Sequence, residues 1–253
     1  MTDTTDRGRF VWYDLMTTDP KQAEPFYIKV AGWGTQPFEG MPYTMWTRDG
    51  APIGGVGHVE PPGTPPHWLA YIAVPNVDAA VKQGEGLGGR TVVPGTDIPH
   101  VGRFAVLADP QGAVFAVFTP GDGGQGPGPE RDAKIGEFSW HELMTSDYKK
   151  AFAFYQAMFG WEKIAEHDMG PMGVYFIFGR NGRELGGMYN MTGDMKMPPN
   201  WTIYIRVDSA DAAAERVKAN GGQVLNGPMD VPGGDRIAQC MDPQGAMFAV
   251  HSK

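Results

Sequence analysis

The chain lacks the features expected of a protein that binds a nucleic acid or spans a membrane, since it has few basic residues relative to acidic ones and no long apolar run. Of its 253 residues, 21 are Lys or Arg and 29 are Asp or Glu, so its formal net charge is −8. A negative mean field repels phosphate backbones and anionic bilayers, which disfavours both as partners. The longest apolar run is the seven residues 68–74, whereas a transmembrane helix needs about 18 or more. We therefore expect a small molecule or a protein as the partner.

Cysteine is equally scarce. Cys240 is the single one, so no intrachain disulfide can form, which agrees with a reducing compartment. The N-terminus MTDTTDRGR is polar and has no apolar signal segment. We expect a cytoplasmic protein. Gly and Pro are abundant, at 36 and 22 residues, but seven Trp and regularly spaced apolar strands argue against disorder and predict a turn-rich α+β fold.

The sequence does contain one unit used twice. FVWYDLMTTD at 10–19 returns as FSWHELMTSD at 138–147, an offset of 128 residues. The closing DPQGA at 109–113 returns at 242–246. Such self-similarity predicts two copies of one structural unit. The Gly- and Pro-rich segment 121–133 predicts an exposed linker, which places one domain at 8–120 and the other at 134–253.

Each copy is predicted to hold two smaller modules of one strand, one helix and three further strands. In the first module, Asp19 is the expected N-cap of the helix, Pro20 its first residue and Gly32 its end. The apolar strand 68–74 opens the second module, and a helix over about 77–87 follows. The element order is βαβββ, four times in the chain.

In their order and double occurrence, these motifs resemble the vicinal oxygen chelate superfamily of glyoxalase I, extradiol dioxygenases, and fosfomycin and bleomycin resistance proteins. The residues that carry the resemblance are the opening Trp-Tyr-Asp or Trp-His-Glu, Phe-Tyr, Gly-Trp and the closing DPQGA. They are most similar to tandem glyoxalase-like proteins of actinobacteria, among them secreted mycobacterial antigens and hydroxylases of antibiotic gene clusters. The resemblance implies that each copy folds into a half-open cup of mixed sheet.

Metal-dependent members of that superfamily carry His, Gln or Glu at four strand positions of each cup. Carried over by the resemblance, these positions fall on Trp12, Gly55, Leu69 and Ala116 in the first copy and on Trp140, Gly187, Thr202 and Ala249 in the second. None is a usual ligand of a divalent ion, which needs imidazole or carboxylate donors. We therefore predict no metal cofactor of the usual kind, which disfavours a standard glyoxalase or dioxygenase activity.

Strand alternation predicts which residues of the opening strands face away from the helices. That face would hold Phe10, Trp12, Asp14 and Met16 in the first copy and Phe138, Trp140, Glu142 and Met144 in the second. A buried charge is costly unless it is paired, so Asp14 and Glu142 are candidates for ligand contact or acid–base catalysis. Alternatively, each is a rim carboxylate that is hydrogen-bonded to a neighbouring backbone amide or arginine.

Other candidates lie outside the opening strands. His251 shares a strand face with Ala249 and is a third catalytic candidate, or a frayed, exposed residue near the C-terminus. Arg103 and Arg236 occupy matching loops, where each could clamp an anionic ligand or pair with Asp97 or Asp230. The remaining predicted ligand-binding residues are Trp46 and His100.

Together these residues favour a metal-independent binder of an aromatic or antibiotic-like small molecule. The alternative is a metal-dependent glyoxalase-like lyase or hydroxylase whose divalent ion has moved to Glu142, His251 or His100. A third possibility is an interaction protein with vestigial cups. No Ser-His-Asp order stands out in the sequence, so nucleophilic catalysis is not expected. Single-domain relatives usually dimerise to complete their sites. Because the second copy is supplied in cis, we expect a monomer.

Overall fold

A computed structural model describes residues 6–121, 131–193 and 197–253. Of the predicted linker, residues 122–130 lie outside the described residues. The first copy contains β1 (Phe10–Thr17), α1 (Pro20–Ala31), β2 (Gly34–Pro37), β3 (Thr44–Arg48), β4 (Ala51–His58), β5 (His67–Ala73), α2 (Val77–Gly86), β6 (Arg90–Ile98), β7 (Gly102–Ala108) and β8 (Val114–Pro120). The second contains β9 (Phe138–Thr145), α3 (Tyr148–Phe159), β10 (Glu162–Asp168), β11 (Val174–Arg180), β12 (Arg183–Asn190), β13 (Asn200–Arg206), α4 (Ala210–Ala219), β14 (Gln223–Asp230), β15 (Arg236–Met241) and β16 (Met247–Ser252).

The predicted βαβββ module occurs four times, and each copy forms one eight-stranded sheet. The strand order is β2-β3-β4-β1-β5-β8-β7-β6 in the first copy and β10-β11-β12-β9-β13-β16-β15-β14 in the second. Within a module the last three strands are antiparallel, whereas the opening strand runs parallel to the last one, as β1 does to β4. The predicted α+β class is confirmed. No helix within the described ranges is long and apolar enough to cross a membrane.

The repeated sequence motifs set the helix limits. The side chain of Asp19 accepts a hydrogen bond from the Gln22 N–H and caps α1, and Asp147 caps α3 in the same way. Gly32 ends α1 at a φ of 72° and Gly160 ends α3 at 74°. Glycine occupies this left-handed region without the penalty that a Cβ atom brings. The predicted helix start at Asp19 and end at Gly32 are confirmed.

Modules from both copies combine in each of two compact units. The middle unit contains the described residues of 6–11, 70–121, 141–193 and 197–201, and the terminal unit those of 12–69, 131–140 and 202–253. The second and third modules therefore make up most of the middle unit, and the first and fourth modules most of the terminal unit. The domain limits 8–120 and 134–253 follow the sequence repeat and stay a prediction.

A chain of buried polar groups joins the two copies inside the middle unit. Tyr155 Oη on α3 donates a hydrogen bond to Asp109 Oδ2 at 3.0 Å, and Trp201 Nε1 donates to Tyr155 Oη at 3.0 Å. The other carboxylate oxygen, Asp109 Oδ1, accepts from the backbone N–H groups of residues 111–113. The Phe-Tyr motif of one copy therefore anchors the DPQGA turn of the other copy.

The terminal unit repeats this chain with the copies exchanged. Tyr27 Oη donates to Asp242 Oδ2 at 3.1 Å, and Trp68 Nε1 donates to Tyr27 Oη at 3.0 Å. Asp242 Oδ1 accepts from the backbone N–H groups of residues 244–246. Burial raises the pKa of Asp109 and of Asp242, and the hydrogen bonds to each carboxylate oppose that rise.

The Gly-Trp motifs hold the segments that lead into the opening strands. Trp161 Nε1 donates to the Gly8 carbonyl at 2.8 Å in the middle unit. Trp33 Nε1 donates to the Gly136 carbonyl at 2.6 Å in the terminal unit. Each motif therefore acts on the other copy of the repeat, which explains why both copies carry it.

The first residue of each opening strand stacks on an aromatic ring of the other copy. Phe10 stacks on His141 with ring centroids 3.5 Å apart, and Phe138 stacks on Tyr13 at 3.8 Å. His141 and Tyr13 are the buried residues that alternation assigns to the helix side. Phe10 and Phe138 therefore pack against the core aromatic residues of the other copy instead of lining a site.

We expect Tyr155→Phe to lower the free energy of unfolding by about 1–3 kcal/mol, because buried Asp109 loses a donor and Trp201 loses its acceptor. Urea unfolding at neutral pH measures the change. Tyr148→Phe is the matched control, since its hydroxyl is bonded to the exposed Glu166. An equal small effect of both substitutions would contradict a structural role for the buried chain.

His141 predicts an acid-sensitive contribution to stability. Burial lowers its pKa from 6.5 to about 4, and the Nδ1–H that donates to the Leu185 carbonyl opposes the shift. The folded state binds a second proton on the His141 ring less readily than the unfolded state does. The stability that depends on a neutral His141 is therefore complete above pH 6.5 and is lost as the pH falls towards 4. The loss is about 3 kcal/mol.

His141→Tyr places at this position the residue that the first copy has, Tyr13, and we expect it to remove this part of the pH dependence. Urea unfolding of both proteins near neutral pH and near the lowered pKa measures the difference. Parallel stability curves for the two proteins would contradict the buried neutral state of His141.

Candidate functional site

In the terminal unit, Asp14 is the centre of a three-residue hydrogen-bond cluster. Its side chain on β1 belongs to a residue that is only 7% exposed. Tyr43 Oη donates to Asp14 Oδ1 at 2.5 Å, and Trp12 Nε1 lies 2.9 Å from both Asp14 Oδ1 and Tyr43 Oη. The structure therefore brings together the predicted residues Trp12 and Asp14 and adds Tyr43, which the sequence analysis did not identify.

A glycine makes room for this tyrosine. Asp14 is in register with Gly55 on the parallel strand β4, and a Cβ atom on Gly55 would overlap the hydroxyl and ring of Tyr43. Gly55 is also the position where the family resemblance predicts a metal ligand. In this chain a neighbouring tyrosine fills the space that a ligand side chain would occupy.

The middle unit contains the corresponding cluster around Glu142. This residue of β9 is 6% exposed and is in register with Gly187 on β12. Tyr175 Oη donates to Glu142 Oε2 at 2.9 Å, and a Cβ atom on Gly187 would overlap the ring of Tyr175. Tyr189 lies beside Tyr175 with ring centroids 6.2 Å apart. We call these two groups the Asp14 cluster and the Glu142 cluster.

Electrostatics keep the tyrosine hydroxyls protonated. Burial, followed by the charge of Asp14, raises the pKa of Tyr43 above its ordinary value. Burial and the charge of Glu142 raise the pKa of Tyr189 in the same way. Each tyrosine therefore remains a hydrogen-bond donor at physiological pH. Trp140, at the position that matches Trp12, is half-buried.

Trp46 does not line a site, contrary to the prediction. It is 0% exposed and packs in the core of the terminal unit, with its ring centroid 5.4 Å from that of Trp33 and 5.6 Å from that of Tyr27. The ring is large enough to fill the space under α1, so packing determines its direction. Composition and strand parity alone do not distinguish such a ring from one that faces a ligand.

Both candidate arginines form surface ion pairs. The pairs are Arg103 with Asp78 and Asp97 at 2.9 Å each, and Arg236 with Asp211 at 2.6 Å and Asp230 at 2.8 Å. These hydrogen bonds raise the pKa of both guanidinium groups. Of the two alternatives drawn from the sequence, the structure shows the pairing with Asp97 and Asp230, which fixes the loops before β7 and β15.

The two candidate histidines lie in different surroundings. His100 is exposed in the turn between β6 and β7 and lines a shallow surface depression of about 470 Å³. His251 is not frayed, because it belongs to β16 and is in register with Ile237. Its Nδ1 lies 2.9 Å from Ser139 Oγ, and its Nε2 lies 3.0 Å from Asp235 Oδ2.

The donor set does not fit the metal centre of the family. Among the residues that the structure describes, no three His, Cys, Asp or Glu side chains come together as a group able to hold a metal ion. Glu142, His251 and His100 therefore do not form the relocated centre considered above. In each of the Asp14 and Glu142 clusters, the carboxylate accepts a hydrogen bond from a tyrosine. The residue in register with it on the neighbouring strand is a glycine, which offers no metal-binding side chain.

The sequence analysis missed Tyr43, Ser139 and Asp235. Tyr43 and Tyr175 occupy equivalent places before the Gly-Gly pairs 54–55 and 186–187, and this recurrence is a signal that could have identified Tyr43. For Ser139 and Asp235, the signal is a difference between the two copies of the repeat. The residues at the equivalent positions of the first copy are an apolar residue and a glycine.

Removing the hydroxyl from Tyr175 tests the Glu142 cluster. We expect Tyr175→Phe to destabilise the protein by about 1–3 kcal/mol, because a buried carboxylate loses a charge-assisted hydrogen bond. Tyr189→Phe is the control, since Tyr189 is affected by the charge of Glu142 without a described hydrogen bond to it. Chemical denaturation of both variants measures the difference, and equal stabilities would contradict the bond.

Comparison with known proteins places both copies in one family. Residues 135–250 match the model of the "Glyoxalase/Bleomycin resistance protein/Dioxygenase superfamily", and residues 11–118 match that of a "Glyoxalase-like domain". The chain is 35% identical to "Putative glyoxylase CFP32" of Mycobacterium tuberculosis over 94% of this chain and 92% of that protein. It is 32% identical to "Anthracycline biosynthesis protein DauV" of Streptomyces sp. (strain C5) over 96% of this chain and 92% of that protein.

Solved structures share the fold at low sequence identity. The Mn(II)-bound glyoxalase from Novosphingobium aromaticivorans superposes with a TM-score of 0.65 at 17% identity, covering 98% of this chain and 82% of the other. The 2,2',3-trihydroxybiphenyl 1,2-dioxygenase from Sphingomonas wittichii gives a TM-score of 0.68 at 14% identity, covering 98% and 90%. These similarities establish the architecture, not the chemistry.

Proposed function

Because this chain belongs to the glyoxalase/bleomycin resistance protein/dioxygenase superfamily, we propose that it binds a flat, aromatic or antibiotic-like small molecule without the usual metal ion. The binding residues are those of the Asp14 and Glu142 clusters. The observation that carries the proposal is the tyrosine hydroxyl bonded to a buried carboxylate beside Gly55 and Gly187, two positions where the family resemblance would place a metal ligand.

The clusters suit a ligand with an aromatic plane and a hydrogen-bond donor. Asp14 and Glu142 are buried carboxylates, and a carboxylate accepts hydrogen bonds on both of its oxygens. A phenolic hydroxyl or an ammonium group of a ligand is the kind of donor that such a group accepts. Trp12, Tyr43 and Tyr175 are half-buried, so parts of their rings remain available for stacking on an aromatic ligand.

The relatives support this ligand class. Two of them are named as anthracycline biosynthesis proteins, DauV and DnrV. Anthracyclines are flat polycyclic molecules with phenolic hydroxyls and an amino sugar, which match the aromatic and carboxylate groups of the two clusters. We take an anthracycline as the first probe, and the natural ligand as a molecule of this class.

We also propose that the protein is a monomer in the cytoplasm. Its support is that each compact unit combines modules of both copies of one chain, so that a second chain is not needed to pair the copies. Sedimentation equilibrium should give the mass of one chain, 27.5 kDa, and twice that mass would contradict the monomer.

Fluorescence titration with doxorubicin in the presence of EDTA tests the binding site. We expect Asp14→Asn and Glu142→Gln each to weaken binding at the affected cluster about 10- to 100-fold, because a charge-assisted hydrogen bond contributes about 1.5–3 kcal/mol. Asp97→Asn is the matched control, since it removes a carboxylate of a surface ion pair and should leave the affinity unchanged.

Two outcomes would overturn the proposed metal-independent site. One is unchanged affinity in both cluster variants, which would place the ligand elsewhere. The other is binding that disappears in EDTA and returns with a divalent ion, which would make a metal part of the site. Failure of doxorubicin and of a panel of other aromatic natural products to bind would reject the ligand class itself.

A further inference from the structure

The fourth module contributes β13 to β16 to its sheet, and these strands have two faces of different character. Phe248 and Cys240 are in register on the face that packs against the core, where the ring centroid of Phe248 lies 5.3 Å from that of Tyr27. Because side chains alternate along a strand, Ala249 and Gln239 share the other face. Strand register and alternation define this second face, which we call the module-4 face, by the residues Thr202, Tyr204, Asn226, Gln239, Ala249 and His251.

The second module is built in the same register but presents apolar groups at the matching places. Both modules begin their central row of side chains with a Tyr and an Ala, and then they differ. The row of the second module runs through Tyr71, Ala116, Val106 and Val93. The row of the fourth module runs through Tyr204, Ala249, Gln239 and Asn226. Two valines of the second module are thus replaced by two amides in the fourth.

The positions beside this row change in the same direction. At the offset of the repeat, Thr202 corresponds to Leu69 and His251 to Phe118. Thr202 is 7% exposed, and the side chain of His251 is 13% exposed. Polar groups at such depth cost free energy unless they are hydrogen-bonded, and the second module shows that the same strands pair with apolar residues in these places. The polar set of the fourth module therefore indicates a role other than holding the sheet together.

The polar groups of the module-4 face are hydrogen-bonding groups with few strong bonds to one another. Asn226 Nδ2 donates to Gln239 Oε1 at a long 3.4 Å. His251 Nδ1 lies 2.9 Å from Ser139 Oγ. His251 Nε2 is buried and makes no hydrogen bond within the described part of the chain, although Asp235 Oδ2 lies 3.0 Å away. A buried polar atom of this kind favours a bound molecule that completes it.

We propose that the module-4 face binds a neutral, polyhydroxylated molecule of the sugar class. Amide and hydroxyl side chains donate and accept hydrogen bonds without carrying a charge, and the hydroxyl groups of a sugar do the same. A charged ligand would lie beside groups that do not neutralise it, which is costly at this depth. The matching face of the second module, with its valines, leucine and phenylalanine, does not offer these bonds. The site is independent of the ligand proposed for the Asp14 and Glu142 clusters.

Titration with the methyl glycosides of glucose, galactose and mannose, followed by proton–nitrogen correlation NMR of labelled protein, tests the site. The side-chain amide signals of Asn226 and Gln239 report on it directly and are assigned from their loss in Asn226→Val and Gln239→Val. We expect at least one glycoside to shift these signals saturably in the millimolar range. Cyclohexanol is the matched control ligand, because its ring has the same size but carries a single hydroxyl, and it should bind about tenfold more weakly.

Substitutions that restore the residues of the second module test the hydrogen bonds. Gln239→Val and Thr202→Leu should each weaken binding of the glycoside by about 3- to 10-fold, because each removes a neutral hydrogen bond. The Asn226 amide signal remains as the readout in both variants. Gln36→Val removes an exposed amide of β2 and should leave the affinity unchanged.

Because the second module already has these residues, the variants are expected to fold, which circular dichroism checks. Where one does not, Gln239→Ala or Thr202→Val takes its place. Shifts that do not saturate, or no shift with any of the three glycosides, would overturn the proposal. Equal affinity for cyclohexanol, or unchanged affinity in both variants, would do the same. Each of these results leaves the doxorubicin titration of the two clusters unaffected, so the two proposals fail separately.

Discussion

Each unit depends on a buried carboxylate of one copy of the repeat that accepts a hydrogen bond from a tyrosine of the other copy. Asp109 of the first copy holds its own turn through backbone N–H groups and accepts from Tyr155 of the second copy, and Asp242 and Tyr27 do the same with the copies exchanged. A charge so deeply buried is tolerated because several donors surround it. The DPQGA, Phe-Tyr and Gly-Trp motifs recur because each copy needs its partner's groups.

The residues that stabilise the scaffold are different from those of the candidate sites. The buried chains lie in the cores, whereas the Asp14 and Glu142 clusters lie on the opening strands beside Gly55 and Gly187. The scaffold keeps the same hydrogen bonds in both copies. The sites differ between the copies, with aspartate in one cluster and glutamate in the other, and with the Ser139 contacts in the second copy.

The sequence contained enough to predict the four modules, the helix limits at Asp19 and Gly32, and the opening strands as bearers of Asp14 and Glu142. These features depend on local signals such as caps and alternation. The direction of Trp46 and the stacking of Phe10 depend on packing against residues distant in sequence, which no local pattern contains. Tyr43 reaches Asp14 only because β3, β4 and β1 are neighbours in the sheet, so its role became visible only in the structure.

The central claim is that tyrosine–carboxylate hydrogen bonds take the place of a metal centre in this member of the family. Titration with Mn(II) followed by electron paramagnetic resonance tests it most directly, because the signal of the free ion falls as the ion binds. The account predicts that one equivalent of protein leaves the free-ion signal undiminished at micromolar concentrations. Stoichiometric loss of that signal, abolished in Glu142→Gln or Asp14→Asn, would contradict it.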